Sequence, residues 1–465
     1  MRKTKIVATL GPATNNYKAL KSLIQNGANV IRLNFSHGDI EQHQQNIDLI
    51  KQVRDELGQP VAIMVDTRGP EVRVRTFEDG CGILKKGAKF TLYGYAKQGS
   101  NEGVSVSEPK CLKNLKKNDI ILANDGLIKL VVLENKGFEV VCKVASGGIL
   151  KDNKGLNFKN VPLNLNYIGE KDKKDLIWAF ENECDMVSAS FVNSIDDIMQ
   201  LKKLMLDCKY SCKIIAKIES LQGIKNLDSI LEVVDGIMVA RGDLGVEIPI
   251  TKLPKTQIDL ISKCVEKGKT VIVATEMLES MINNPRPTRA ETIDVANAVY
   301  NGASAVMLSA ESAVGHYPDK AVKTMADICN QAEKDVPYKK QFFHTVFENY
   351  NLTDILSHSA ISCSFKLDAK AIVLFTDTGK TASLISRYRP NAPIIAITDN
   401  KQTYNYLSLE WNIIPILTNL NNIDIFDLAC SIAKEEGVAK VGDKIIVTTG
   451  TTDKLNNVMK ICDIK

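Results

Sequence analysis

Residues 213–219 read Lys-Ile-Ile-Ala-Lys-Ile-Glu, a short apolar run carrying a lysine and a glutamate two residues apart at its far end. An unbroken rather than alternating apolar run is what a strand buried on both faces requires. The same signature recurs before it at 5–10, 30–34, 61–66 and 186–190, and after it at 236–241, 270–276 and 305–311. The segments between have helical periodicity. Ile47, Ile50, Val53 and Leu57 form an apolar stripe on a polar stretch, and Ile258, Ile261 and Val265 do the same ahead of Gly268, a helix stop. Eight β-α units in series predict an α/β fold closed into a (β/α)8 TIM barrel. An open doubly wound sheet fits a count of eight less well.

One gap is out of scale. Residues 67–185 separate the third run from the fourth, and 71–162 lack a helical pattern. That stretch holds β-like runs at 89–95, 119–123 and 138–144, divided by the turn signals Asp125-Gly126 and Asn135-Lys136-Gly137. The expectation is a small β-barrel of residues 71–163 inserted in the loop after strand three. Loops on that face of a barrel surround the active site, so the insert is placed to act as a lid. A helix resumes around 170–180, and the barrel takes residues 1–70 and 164–337. Beyond it, runs at 371–376, 394–398, 413–417 and 444–449 predict a third, α/β domain over 338–465. It carries few acid–base candidates, which favours regulation or assembly over chemistry.

Composition excludes several classes. The 465 residues hold 59 Lys plus Arg against 55 Asp plus Glu, a formal charge of +4, which argues against a polybasic nucleic-acid binder. No apolar run approaches the ~20 residues needed to span a bilayer. The amino terminus lacks the apolar core of about 7–15 residues that a secretory signal needs. Eleven cysteines without a CxxC pair, the closest being Cys208 and Cys212, argue against a disulfide framework or zinc site. The expectation is a reduced, cytoplasmic protein.

Several strand ends are polar where a buried strand should be apolar. Arg32 and Asn34, Lys217 and Glu219, and Arg241 and Asp243 are spaced i, i+2, which on a strand puts both side chains on one face. Strand three ends in Asp66, four in Ser190, seven in Thr275-Glu276 and eight in Glu311. A solvated end or ion pair explains any one of these, but not seven strands sharing the habit. Catalytic groups sit at the carboxyl ends of such strands. Cations interleaved with carboxylates suit an anionic substrate held by a bound metal. Glu219 and Asp243 are hard oxygen ligands suited to Mg²⁺ or Mn²⁺. Lys217 reads either as a Schiff-base nucleophile or as a cation stabilising a transferring phosphoryl group, and the second fits better beside two metal-binding carboxylates. Gly242 and Gly245, flanking Asp243, let backbone amides approach an anion.

Together these residues resemble the pyruvate kinases along nearly the whole chain. The matching motifs are KTKIVATLGPAT at the start, IRLNFSHG (31–38), DTRGPEVR (66–73), IIAKIES (214–220), DGIMVARGDLGVEIP (235–249), NPRPTRAE (284–291) and AVMLSAESAVGHYP (305–318). The resemblance implies phosphoryl transfer from phosphoenolpyruvate to ADP, giving pyruvate and ATP, the last step of glycolysis. By the same resemblance Lys217 stabilises the transferring group and the enolate, Arg32 contacts the phosphoryl group, and Thr275 serves enolate protonation. Ser190 and Gly242 line the substrate pocket. Glu219 and Asp243 hold Mg²⁺ or Mn²⁺, while Asn34, Ser36, Asp66 and Thr67 hold K⁺. Glu71 marks the potassium-dependent branch. Asn34, His37, Arg73 and Lys154 fall at nucleotide-contacting positions. The family also implies a homotetramer.

Three features depart from the family pattern. Glu276 stands where glutamine is common, Asn193 replaces a common basic residue, and 447–453 looks shortened where relatives carry a longer effector loop. Thr376-Asp377-Thr378-Gly379-Lys380-Thr381 still resembles a phosphate-binding turn leading into a helix, although a capped helix without a ligand reads the same way. A phosphorylated metabolite is therefore the expected effector, without a standard fructose 1,6-bisphosphate response. Two other classes compete: a metal-dependent aldolase or lyase of a pyruvate-like enolate, and a catalytically silent metabolite sensor. The first needs neither the lid nor the NFSHG and DTRGP motifs. The second has no need to keep Lys217, Glu219, Asp243 and Arg32 together.

Overall fold

The computed structural model describes residues 1–124, 126–159, 161, 165–345, 352–420, 424–449 and 458–465. All eight apolar runs are strands: Lys5–Thr9, Val30–Asn34, Ala62–Asp66, Met186–Ala189, Lys213–Ile218, Gly236–Ala240, Thr270–Ala274 and Ala305–Leu308. They pair in parallel, in chain order, and close where Lys5 lies opposite Ala305. Their side chains alternate between two buried clusters. Val7, Val30, Met64, Met186, Ile215, Met238 and Ile272 share one, the barrel interior. Ile6, Ile31, Ile63, Ile214 and Ile237 join the other, which includes Leu20, Ile47 and Ile50 of the surrounding helices. Burying each such side chain contributes about 1.5–3 kcal/mol, so the alternation fixes the strand parity firmly. Arg32, Asp66 and Lys217 sit two residues beyond Val30, Met64 and Ile215, and by that parity point inward.

The expected helices form, with one correction to their faces. Helix Ile40–Leu57 starts at Asp39, whose side chain accepts from the Gln42 amide, and stops at Gly58 in the left-handed region. Helix Leu253–Lys267 ends at Gly268, also left-handed, but buries Gln257, Leu260, Ile261 and Cys264. Ile258 is therefore exposed, while Ile261 is buried and Val265 packs partly buried against the core as the stripe requires.

Six strands end before their apolar runs do, and in three of them the early end changes where polar side chains lie. The sixth stops at Ala240, and Arg241 opens the short helix Arg241–Glu247, so Arg241 and Asp243 are not a same-face strand pair. The seventh stops at Ala274, and Thr275 and Glu276 turn the chain through left-handed conformations. The eighth stops at Leu308, leaving Glu311 on helix Ala310–Ala313.

Between strand three and helix Glu170–Glu181 lies a seven-stranded sheet. Its edge strands are Val72–Arg73 and Gly103–Ser105, and a bridge from Val74 to Val106 joins them and rolls the sheet closed. Val72, Phe90, Leu92, Val104, Ile121 and Leu130 fill its core. Asp125, of the expected turn, lies outside the described residues.

The carboxyl-terminal unit is a five-stranded sheet. Ile413–Leu417, Ile394–Thr398, Ala371–Phe375 and Lys444–Thr449 run parallel, and Val458–Asp463, unexpected from sequence, adds an antiparallel edge. Its residues Ile372, Leu374, Ile394 and Leu407 belong to the same buried cluster as the barrel interior. This sheet therefore packs under the amino-terminal end of the barrel. Lys5 donates to the Ile413 carbonyl there at 2.7 Å, and Thr270 donates to Glu410 at 2.7 Å. Residues 450–453 of the shortened loop lie outside the described residues. Among the described residues, no helix is long and apolar enough to cross a membrane.

Candidate active site

Strand parity brings two cations onto one buried carboxylate at the carboxyl end of the barrel. Asp66 Oδ2 accepts from Arg32 Nε at 2.6 Å, and Asp66 Oδ1 accepts from Lys217 Nζ at 3.2 Å. Lys217 also donates to Ser190 Oγ at 2.8 Å and lies 3.0 Å from Glu219 Oε1. The second oxygen of Glu219 accepts from the Phe191 amide at 2.6 Å. Arg32 reaches across to Thr9 Oγ1 at 3.0 Å. Asp66 and Glu219 are each only 1% exposed, so these charges interact with little solvent screening.

The electrostatics separate the two acids. Burial works against the charge on Asp66, yet Arg32 and Lys217 hold its carboxyl below the ordinary range. Burial raises Glu219 instead, Lys217 only partly opposing it, and the nearby charge of Asp243 pushes it higher. Burial alone would lower Lys217, but Asp66 and Glu219 outweigh it and keep the ammonium protonated well above its usual range. Lys217 is thus a fixed cation, and a protonated amine is no Schiff-base nucleophile. Glu219 and Asp243 repel one another, which a divalent ion between them would relieve. Among the described residues there is no group of three or more His, Cys, Asp and Glu side chains able to hold a metal, so two carboxylates are what the protein offers.

The neighbouring loops behave differently from their sequence reading. Arg241 donates to the Ala274 carbonyl at 3.1 Å and pairs with Asp294, so it anchors helix Arg241–Glu247 rather than facing substrate. Thr275 donates to the Ala274 carbonyl at 2.7 Å and accepts from the Gly242 amide at 2.9 Å. Gly242 and Thr275 are thereby held against each other at the carboxyl end of the barrel. Asn34 Oδ1 accepts from the Ser36 amide at 3.1 Å, and the Thr67 carbonyl accepts from Ser190 Oγ at 2.6 Å. These oxygens and Asp66 gather on adjoining strand ends.

Residues expected on the nucleotide side fall into two places. The His37 carbonyl contacts His43 Nε2 at 3.0 Å beside strand two, its own side chain exposed. Arg73 Nε donates to Glu71 at 2.8 Å and its guanidinium reaches the Asn153 carbonyl at 2.9 Å, while the Lys154 carbonyl accepts from Val74 at 2.9 Å. Glu71, Arg73 and Lys154 therefore cluster at the base of the inserted sheet. Glu276 is exposed on its turn. Asn193 organises the loop after strand four, its amide donating to Asp197 at 2.8 Å and its carbonyl accepting from Asn226 at 2.7 Å. Asp294 and Phe191 were not singled out from sequence. One acts through an ion pair 53 residues away and the other through its backbone, and neither leaves a local pattern.

At the opposite end of the barrel, Thr376 Oγ1 accepts from the Gly379 amide at 3.0 Å, closing the Thr376–Gly379 turn ahead of helix Lys380–Ser386, which begins at Lys380 and contains Thr381. The turn borders a cavity of about 620 Å³ lined by Lys202, Lys213, Asp377, Thr378, Asn400 and Gln402 among others.

Comparison with known proteins agrees with this geometry. Residues 1–322 match the family model described as pyruvate kinase, barrel domain, and residues 354–462 match pyruvate kinase, alpha/beta domain. The chain is 41% identical over 469 residues to a pyruvate kinase of Clostridium acetobutylicum, covering 99% of both chains. It is 42% identical over 472 residues to that of Clostridium perfringens, again covering 99% of both. The solved structure of a pyruvate kinase from Cryptosporidium parvum superposes with a TM-score of 0.95 at 37% identity, over 100% of this chain and 96% of that one. With family models spanning the barrel and the carboxyl-terminal sheet, and relatives matched at 41–42% identity over 99% of both chains, the chain belongs to the pyruvate kinase family.

Proposed function

We propose that this chain transfers the phosphoryl group of phosphoenolpyruvate to ADP, giving pyruvate and ATP. The observation that carries the reading is the buried ammonium of Lys217, held between Asp66 and Glu219 at the catalytic end of the barrel. Phosphoryl transfer needs positioning and charge neutralisation more than covalent chemistry. Lys217 and Arg32 supply fixed positive charge for the transferring group and for the enolate oxygen left behind. Ser190, Gly242 and Asp243 line the substrate side, and the Thr275 hydroxyl orients the proton that the enolate receives. Asn34, His37, Arg73 and Lys154 hold the nucleotide, the last two carried by the lid, which excludes competing water.

The family needs a divalent metal and potassium, and the donor sets here fit both. Glu219 and Asp243 hold Mg²⁺ or Mn²⁺, which when bound neutralises charge on substrate oxygens and keeps several ligand positions for them. Asn34, Ser36, Asp66 and Thr67 offer only oxygens, suited to K⁺, and Glu71 marks the potassium-dependent branch. A phosphorylated metabolite is the effector, received at Thr376, Thr378, Gly379, Lys380 and Thr381 beside the cavity that Lys202 and Lys213 border. The chain works in the cytoplasm, in keeping with eleven free cysteines, and assembles as a homotetramer. ATP and pyruvate formation from phosphoenolpyruvate, ADP and Mg²⁺, with K⁺ exchanged for Na⁺, tests the reading. Turnover lost in Na⁺ supports the phosphotransferase and its potassium site, turnover indifferent to the exchange removes the potassium site and the role of Glu71, and no turnover with either cation refutes the reading.

A further inference from the structure

Both chain crossings between barrel and lid are tied to one barrel residue. On the outgoing side, the Ser190 amide donates to Thr67 Oγ1 at 3.1 Å and the Ser190 hydroxyl donates to the Thr67 carbonyl at 2.6 Å. On the returning side, the Tyr167 hydroxyl donates to the Ser190 carbonyl at 2.9 Å. The two crossings are also joined directly by Asp172, in the first turn of helix Glu170–Glu181. Its Oδ1 accepts from the Arg68 amide at 3.0 Å and its Oδ2 from the Gly69 amide at 3.1 Å. Gly69 is left-handed, and a Cβ there would lie 3.0 Å from the Ser190 side chain, so the outgoing loop is pressed against Ser190. Lys217 in turn donates to Ser190 Oγ. An unbroken path of backbone and hydrogen bonds therefore runs from Asp172, through Arg68, Gly69 and Thr67, to Ser190 and Lys217.

We propose that Asp172 is a positioning residue that fixes the hinge of the lid relative to Lys217, so that the nucleotide meets the phosphoryl group in register and water does not. The proposal rests on the phosphotransferase reading above. Asp172 is buried and its two carboxylate oxygens each accept from one hinge amide, while Lys171 and the start of its own helix add favourable positive charge that asparagine would not use. Asparagine at this position keeps the shape but can accept from only one of the two amides.

The whole enzyme tests this. In Asp172→Asn the nucleotide KM rises about tenfold, the scale of one lost hydrogen bond to a charged group. ATP formed per pyruvate falls below one, because part of the phosphoryl group passes to water: phosphoenolpyruvate and water give pyruvate and inorganic phosphate. The KM for phosphoenolpyruvate and the exchange of pyruvate methyl protons with deuterated solvent, both properties of the barrel end alone, stay at their wild-type values. Tyr167→Phe, which removes one hydroxyl from the returning crossing, shows the same signature more weakly and serves if Asp172→Asn does not fold. Wild-type nucleotide KM with one ATP per pyruvate in these variants overturns the proposal. So does methyl exchange that falls in proportion with transfer, which would make Asp172 an ordinary fold contact. A wild-type chain that makes no ATP refutes the functional reading instead, and this inference with it.

Discussion

Glu219 lies 3.0 Å from Lys217 and two residues beyond it, so one strand end delivers both a fixed cation and a carboxylate that burial would rather see uncharged. Asp243, from the short helix Arg241–Glu247 after the next strand, pushes Glu219 further in the same direction. Two repelling carboxylates are held together usefully only by positive charge. Glu219→Gln and Asp243→Asn are each expected to weaken Mn²⁺ binding by at least about tenfold, the loss that even changes behind a metal's direct ligands produce. Titration of the free enzyme with Mn²⁺, followed by electron paramagnetic resonance, checks this. Unchanged affinity in both variants would remove these residues from the metal site.

Asp66 is the only carboxylate that Arg32 pairs with among the described residues, and it shares itself with Lys217. Removing its charge leaves a buried guanidinium without compensation, a change that typically costs about 3–5 kcal/mol. Asp66→Asn should therefore lower the unfolding free energy by about 3 kcal/mol in urea titration, beyond any effect on turnover. A variant as stable as the wild type would mean that solvent reaches Arg32 after all.

Lys5 predicts a pH dependence of stability. Burial under the barrel lowers its pKa to about 7, with Arg2 adding to the shift and Glu333 and Glu410 opposing it. The unfolded chain keeps the ordinary value of about 10.4. Between these two values the unfolded state binds more protons, so this residue makes stability rise as pH increases from about 7 toward 10, and below about 7 that gain is gone. Wild type and Lys5→Met should differ in the slope of unfolding free energy against pH across that window. Identical slopes would show that Lys5 stays charged in the folded protein.

The sequence carried the barrel because each strand had to be apolar on both faces, and the clusters around Met64 and Ile215 bear that pattern. Parity then placed Arg32, Asp66 and Lys217 correctly, since all three still lie on, or at the very end of, their strands. It failed at Arg241, where the chain has already coiled into a helix and spacing by two no longer means a shared face. The edge strand Val458–Asp463 buries only Cys462, so no apolar run announces it. Asp172 was invisible for another reason: its partners are backbone amides, and a hydrogen bond to an amide leaves no residue pattern.

The account turns on Lys217 as the cation that stabilises the transferring phosphoryl group. Its most direct test is the turnover of Lys217→Met relative to wild type, measured as pyruvate and ATP formed from saturating phosphoenolpyruvate and ADP with Mg²⁺ and K⁺. Loss of one preorganised donor removes about 3 kcal/mol or more of transition-state stabilisation, so kcat should fall by at least about a hundredfold. Turnover close to that of the wild type would contradict the account.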